Sequence, residues 1–215
     1  MLRTLRPGCY LALADWNSRD LRAKPPSFFE KLVLKQLLER LWGEHIHLGF
    51  YALGKKNVDF REAKVQFVHE LVKWSGLDKL PQGSRILDVG CGIGGSSRIL
   101  AKYYGFNVTG ITISPAQVKR ARELTSLELS CTFQVMDALD LKFEDGSFDA
   151  IWSVEAGAHM NDKKKFADEM LRTLRPGGFL AFHLQTYFYH SCVHQPQHSK
   201  QHQMIHLQIS NPKHP

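Results

Sequence analysis

From Ser84 onward, short β-branched and apolar runs alternate with stretches of helical periodicity. The runs predict strands near residues 85–90, 107–113, 131–136, 148–153 and 178–182. The stretches between them predict helices over Ser96–Tyr104, Pro115–Leu124, with its proline at the first helical position, and Lys163–Leu174. Strands joined through helices pair in parallel, so the pattern predicts an α/β fold with an open sheet covered by helices on both faces. Ligands in such sheets bind beyond the carboxyl ends of the strands. Upstream, Pro25-Pro26-Ser27 breaks the chain, and Ser27 is placed to cap an amphipathic helix carrying Phe28, Leu32, Leu34, Leu38 and Leu41. A second helix is predicted over Arg61–Trp74, with Ala63, Phe67, Leu71 and Trp74 on one face. Between them, Trp42–Tyr51 is too rich in Gly and His for a regular element and reads as an ordered loop. After Phe182 the core periodicity ends. Residues 183–215 are dense in His and Gln, hold no acid, and predict poor order.

One segment occurs twice. Met1-Leu-Arg-Thr-Leu-Arg-Pro-Gly8 recurs as Met170-Leu-Arg-Thr-Leu-Arg-Pro-Gly177, too isolated for a solenoid. It reads either as a duplication or joined gene model, or as a permuted chain whose N-terminus supplies an element that normally follows Ala181. A permuted chain would make Tyr10–Ala14 and Phe179–Phe182 compete for one sheet position. Three segments result: residues 1–40, a core over 41–182, and the tail 183–215.

Composition narrows the class. Of 215 residues, 43% are hydrophobic and 23% charged, the balance of a globular protein. No window of about 18 uninterrupted apolar residues suggests a spanning helix, and residues 1–20 lack the apolar stretch of a secretory signal. The four cysteines form no CxxC pair, which favours a reducing compartment. The net charge of +7 raises the question of a nucleic-acid partner. Residues 1–40 carry +4 of it and residues 182–215 carry +2. The core is almost neutral, so no nucleic-acid partner is expected, and at most a weak attraction to an anionic membrane surface. In the tail, His190, His194, His198, His202 and His206 recur every four residues, but Pro196 interrupts any helix and no carboxylate accompanies them, so no metal is expected.

The strongest chemical signal is Asp88-Val-Gly90-Cys-Gly92-Ile-Gly94-Gly95, between a predicted strand and helix. Glycines let the backbone turn sharply and approach a ligand, and the helix behind them presents N–H groups. Gly90, Gly92 and Gly95 also satisfy the dinucleotide fingerprint GxGxxG. Against a nicotinamide cofactor, the acid precedes the glycines, and Thr112 stands where a ribose-binding acid would end the second strand.

These residues resemble the class I S-adenosylmethionine-dependent methyltransferases. Val89–Ser97, Gly110–Gln117, Phe143–Asp149 and Ser153–Met160, with Glu44–Gly49 upstream, are similar to the tocopherol and plastoquinone branch, the 2-methyl-6-phytyl- and solanesyl-benzoquinone methyltransferases. The resemblance covers about 42–181, and it implies a Rossmann-like sheet with an incomplete C-terminal part. In that family, Arg-Pro-Gly-Gly-x-Leu leads into a strand ending in Ala-Asp-Trp-Asn. Here Ala14-Asp15-Trp16-Asn17 stands near the N-terminus, whereas the second copy runs into His183. The expected cofactor is S-adenosylmethionine, and the expected partner a small lipophilic quinol in a cytoplasmic or plastid, thylakoid-associated setting. The expected reaction is C-methylation in tocopherol or plastoquinone biosynthesis. The alternatives are a related acceptor such as a tocopherol or sterol, or a non-catalytic cofactor-binding remnant.

The resemblance assigns cofactor roles to Asp88, Gly90, Gly92, Gly94, Thr112, Gln117, Asp137, Ala138 and Ser153. Asp88 would meet the methionine amino group or cap the following helix. Thr112 would make a hydroxyl contact to the ribose beside Gln117, itself otherwise a solvated helix residue. Asp137, with the Ala138 backbone, would take the adenine amino group or serve as a turn aspartate. Ser153 and Glu155 close the fourth strand, and His159 follows one helical turn after Glu155. His159 or Glu155 would remove a phenolic proton, a histidine here being otherwise structural. Trp42, His45, His47 and Tyr51 would cover the cofactor or pack as ordinary core.

Overall fold

A computed structural model of the chain describes residues 43–45, 47–51 and 58–184, and the backbone of 203–208. The expected first helix, the Tyr10–Ala14 strand and most of the histidine stripe lie outside these residues. The described elements follow the predicted alternation: α1 (Phe60–Ser75), β1 (Arg85–Val89), α2 (Gly95–Tyr104), β2 (Asn107–Thr112), α3 (Pro115–Leu124), β3 (Cys131–Val135), β4 (Phe148–Val154), α4 (Lys163–Thr173), β5 (Leu174–Leu184) and β6 (Gln203–Gln208). Sheet order is β3-β2-β1-β4-β5-β6. The first five strands run parallel and β6 runs antiparallel to β5.

The alternation of side chains along each strand divides the core. Ile86, Val108, Ala150, Trp152 and Ala181 join α1 and α2 on one face. Leu87, Ile111, Ile151 and Leu180 point the other way, onto Phe166 and Met170 of α4. The local chemistry sets the helix ends. Asp59 accepts the N–H groups of Arg61 and Glu62 at the head of α1, and Ser114 accepts that of Gln117 ahead of Pro115 in α3. The predicted apolar face of α1 is corrected at one position: Trp74 is 42% exposed. The buried face runs instead through Ala63, Lys64, Phe67, Val68, Leu71, Val72 and Ser75.

The 182/183 boundary also shifts. β5 continues through His183, which pairs with Val154 and is buried, and residues 203–208 pair along its outer edge. Pairing through backbone hydrogen bonds needs no hydrophobic period, so composition did not announce it. Of the two segments expected to compete for one position, Phe179–Phe182 lies in β5.

The chain leaves β1 for β2 and β3 on one side, then returns to lay β4 on the other side of β1. The connections therefore diverge above the carboxyl ends of β1 and β4, the place where such sheets open a crevice. No helix among the described residues is long and apolar enough to cross a membrane.

Candidate active site

The glycine loop lies at this divergence. Gly90 and Cys91 donate their N–H groups to the Ile111 carbonyl, both at 2.9 Å, so the loop turns over the end of β2. A Cβ on Gly90 would run into the Cβ of Ala156, so the exits of β1 and β4 touch. Gly92 has φ +56° and a Cβ there would meet nothing within 4 Å. The loop is thus tight where it meets protein and open at Gly92, the shape of a cradle for a close-fitting ligand.

Beneath the loop, Asp88 is 3% exposed and accepts the Ser97 hydroxyl at 2.6 Å. Its one observed partner is therefore in the first turn of the following helix. Burial pushes its carboxyl up to about 7, against the lowering effect of the Ser97 bond. Thr112 and Gln117 come together, with the Thr112 hydroxyl donating to Gln117 Oε1 at 2.6 Å. Asp137 is exposed and closes a turn by accepting the Leu139 N–H at 2.9 Å, beside buried Ala138. Ser153 is fully buried and donates to the Val89 carbonyl at 3.1 Å. Its hydroxyl ties the end of β4 to the end of β1.

The two residues expected to act as base differ in their settings. His159 closes a short 3-10 turn (Gly157–His159) and is exposed, and among the described residues no hydrogen bond or ion pair joins it to Glu155. Glu155 has φ +60°, alone among the described non-glycine residues. Its N–H donates to the His183 carbonyl at 2.9 Å, so β5 holds this sparsely populated conformation, which costs about 1–3 kcal/mol. Its carboxylate accepts the Leu48 N–H at 3.2 Å and lies 3.9 Å from His183 Nδ1. Burial raises its pKa; the Leu48 bond and the charge of Lys64 partly oppose that shift.

Of the residues expected to cover the site, Trp42 lies outside the described residues and Tyr51 is 51% exposed. His45 and His47 are buried. His47 Nδ1 bonds the Leu48 carbonyl at 2.8 Å, which requires a proton on that nitrogen. Neutral His47 then accepts through Nε2 from His45 Nδ1, 3.0 Å away. Burial lowers His45 to about 4 with help from Arg98 and Lys64, and lowers His47 to about 3, so both rings are neutral at neutral pH.

Four participants escape a reading of the sequence: Glu44, Lys64, Arg98 and His183. Lys64 sits on the buried face of α1 and donates to the His45 carbonyl at 2.8 Å. Arg98 is 8% exposed and reaches Glu44, 54 residues away. Nothing local distinguishes either cation from a solvated helix residue. For Glu44, the Glu44-His-Ile-His run was the available signal.

Residues 87–182 match the family model of a methyltransferase domain. The chain is 62% identical over 174 residues to a protein named 2-methyl-6-phytyl-1,4-hydroquinone methyltransferase from Synechocystis sp., covering 80% of this chain and 54% of that one. It thus spans about half the length of that curated relative. Among solved structures, the [4+2]-cyclase SpnF superposes with a TM-score of 0.63 at 29% identity, over 73% of this chain and 57% of that one. A geranyl diphosphate methyltransferase in complex with SAM superposes with a TM-score of 0.56 at 27% identity, over 64% and 61%. A cyclase and a methyltransferase on one fold show that architecture alone does not name a reaction.

Proposed function

We propose that this chain, which belongs to the class I S-adenosylmethionine-dependent methyltransferases, moves a methyl group from S-adenosylmethionine to a ring carbon of a prenylated hydroquinone. One observation carries the reading: an open glycine cradle touches the loop that presents a half-buried glutamate of raised pKa. The choice of acceptor is supported by the 62% identity to a relative named for a phytyl hydroquinone.

The residues fit the cofactor chemically. The loop from Gly90 to Gly94 leaves room at Gly92, and α2 begins immediately behind it. Asp88 suits a cationic amino group, whose arrival would favour the ionised carboxylate. Thr112 and Gln117 offer a hydroxyl and an amide for a ribose, and Asp137 with the Ala138 backbone offers acceptor and donor positions for an adenine edge. When bound, S-adenosylmethionine supplies a methyl on a sulfonium; its carbon–sulfur bond breaks as the new carbon–carbon bond forms, leaving a neutral thioether.

Glu155 takes the phenolic proton and so raises the electron density of the ring carbon. A pKa raised by partial burial makes a carboxylate a stronger base than an exposed one, which suits a group that takes this proton and later releases it to solvent. The methylated ring becomes aromatic again when its carbon-bound proton passes to the phenolic oxygen, so the reaction releases one proton overall. The Leu48 N–H holds the carboxylate, and the His183 carbonyl holds the Glu155 backbone. Positioning does the rest, because an in-line transfer gains chiefly from holding two carbons at attack distance.

The test is product formation from methyl-labelled S-adenosylmethionine and a phytyl hydroquinone. Methylated hydroquinone, with label on the ring carbon, is the expected product. Label on oxygen would move the acceptor chemistry to O-methylation, and binding without product would leave a cofactor-binding module. Protection from proteolysis by a nicotinamide dinucleotide alone would overturn the cofactor.

A further inference from the structure

The described residues 43–45 and 47–51 run from the head of α2 to the end of β4. At one end, Glu44 Oε2 lies 2.7 Å from Arg98 Nη2. The Arg98 side chain is 10% exposed, and its Nη1 also donates to the Ile93 carbonyl of the glycine loop at 2.8 Å and to Thr125 Oγ1 at 3.3 Å. One planar fork thus bonds the loop, the end of α3 and the crossing segment, which the point charge of a lysine cannot do. At the other end, the Leu48 N–H holds the Glu155 carboxylate, and Phe50 N–H donates to the Ala63 carbonyl at 2.8 Å. Between the ends, Lys64 and the His45–His47 bond fix the path.

Two glycines make room for this strap. A Cβ on Gly95 would lie 2.5 Å from the Glu44 carbonyl and 2.8 Å from the His45 ring, and one on Gly49 would lie 2.7 Å from Ala63 Cβ. Gly95 completes a dinucleotide fingerprint in the sequence, yet in the fold its missing side chain admits the strap.

We propose that Arg98 and Glu44 are a positioning pair, clamping residues 43–51 to the glycine loop and, through the strap, setting the carboxylate of Glu155. This rests on the methyl-transfer reading above. Neither residue touches the reacting atoms; the pair makes the geometry of the cofactor loop and that of the base depend on one another.

Hydrogen exchange on the ligand-free chain tests the clamp. The half-exposed Glu44 can be changed without emptying the core, so Glu44→Gln is the first variant. Its Leu48 and Phe50 amides are expected to exchange about tenfold faster than in the wild type, with the β1 amides unchanged. Unchanged Leu48 exchange overturns the proposal. In turnover, Glu44→Gln and Arg98→Lys are each expected to raise KM for S-adenosylmethionine roughly fivefold and to lower kcat, with Glu44→Asp recovering part of both losses. Unaltered kcat and KM in Glu44→Gln also overturn it. A wild-type chain that neither binds S-adenosylhomocysteine nor turns over would remove the methyl-transfer reading, while hydrogen exchange would still decide whether the clamp exists.

Discussion

The two halves of the site are built at different ranges. On the cofactor side, over β1, β2 and β3, the side-chain bonds are local: Asp88 with Ser97, Thr112 with Gln117, Asp137 with Leu139. On the acceptor side, Glu155 is held by Leu48, 107 residues away, and by His183 on the neighbouring strand. The first half is a set of turns that each fold with their own strand. The second is closed only when the strap, β4 and β5 are all in place, so its chemistry depends on tertiary assembly. The proposed methyl transfer needs both, and each half fails in its own way.

The largest expected effect falls on the acceptor side. Glu155→Gln keeps the shape and removes the proposed base, and it is expected to lower kcat by about 10²–10⁴ while S-adenosylhomocysteine binding persists. Turnover at the wild-type rate would break the division, because the acceptor half would then have lost its catalytic group.

The next effect lies on the cofactor side. The folded pKa of Asp88, about 7, is raised above the ordinary carboxylate value of 3.8, so its contribution to stability is present below 3.8 and lost as pH rises through 7. Asp88→Asn cannot titrate. Urea unfolding should therefore show the variant gaining on the wild type between pH 4 and pH 8, by an amount on the order of 2–4 kcal/mol. A difference that does not grow with pH would show that the carboxyl is ionised in the folded chain.

The strap titrates with the opposite sign. His45 and His47 have folded values of about 4 and 3, below the ordinary 6.5, so the stability of their neutral, buried forms is present above 6.5 and lost as pH falls through 4 and 3. His47→Gln should reduce the acid sensitivity of unfolding between pH 7 and pH 4 by roughly 1–3 kcal/mol. The same slope in wild type and variant would take the strap histidines out of the acid response.

The smallest effect is the sharpest discriminator between the two candidate bases. His159→Asn is expected to leave turnover within about threefold of wild type, well short of the loss that accompanies removal of a general base. A loss as large as that of Glu155→Gln would move proton transfer to the exposed turn.

Much of the cofactor half was legible in the chain. The glycine loop, the acid before it, and the strand-to-helix rhythm come from local periodicity and turn chemistry, which a sequence displays directly. The roles expected of Thr112 and Gln117 placed them together, as they are. The acceptor half was legible only in part. Spacing put Glu155 and His159 on one side of a helical turn, whereas the chain leaves β4 through a positive φ at Glu155 and a 3-10 turn, a path that the spacing alone does not display. Trp74 fitted the helical period and is nonetheless exposed, because the sheet takes the Ser75 side of α1.

Strand order within the parallel core follows closely from the alternation of runs, because crossover connections leave few ways to lay such strands. The amino-acid pattern alone therefore settled the kind of fold and the place of the glycine loop between β1 and α2. How far Glu155 is enclosed, why Gly95 has no side chain, and what Arg98 holds were decided by contacts between segments distant along the chain. A buried arginine and a solvated one look identical in a sequence, and desolvation, which separates them, exists only once the segments around them have packed.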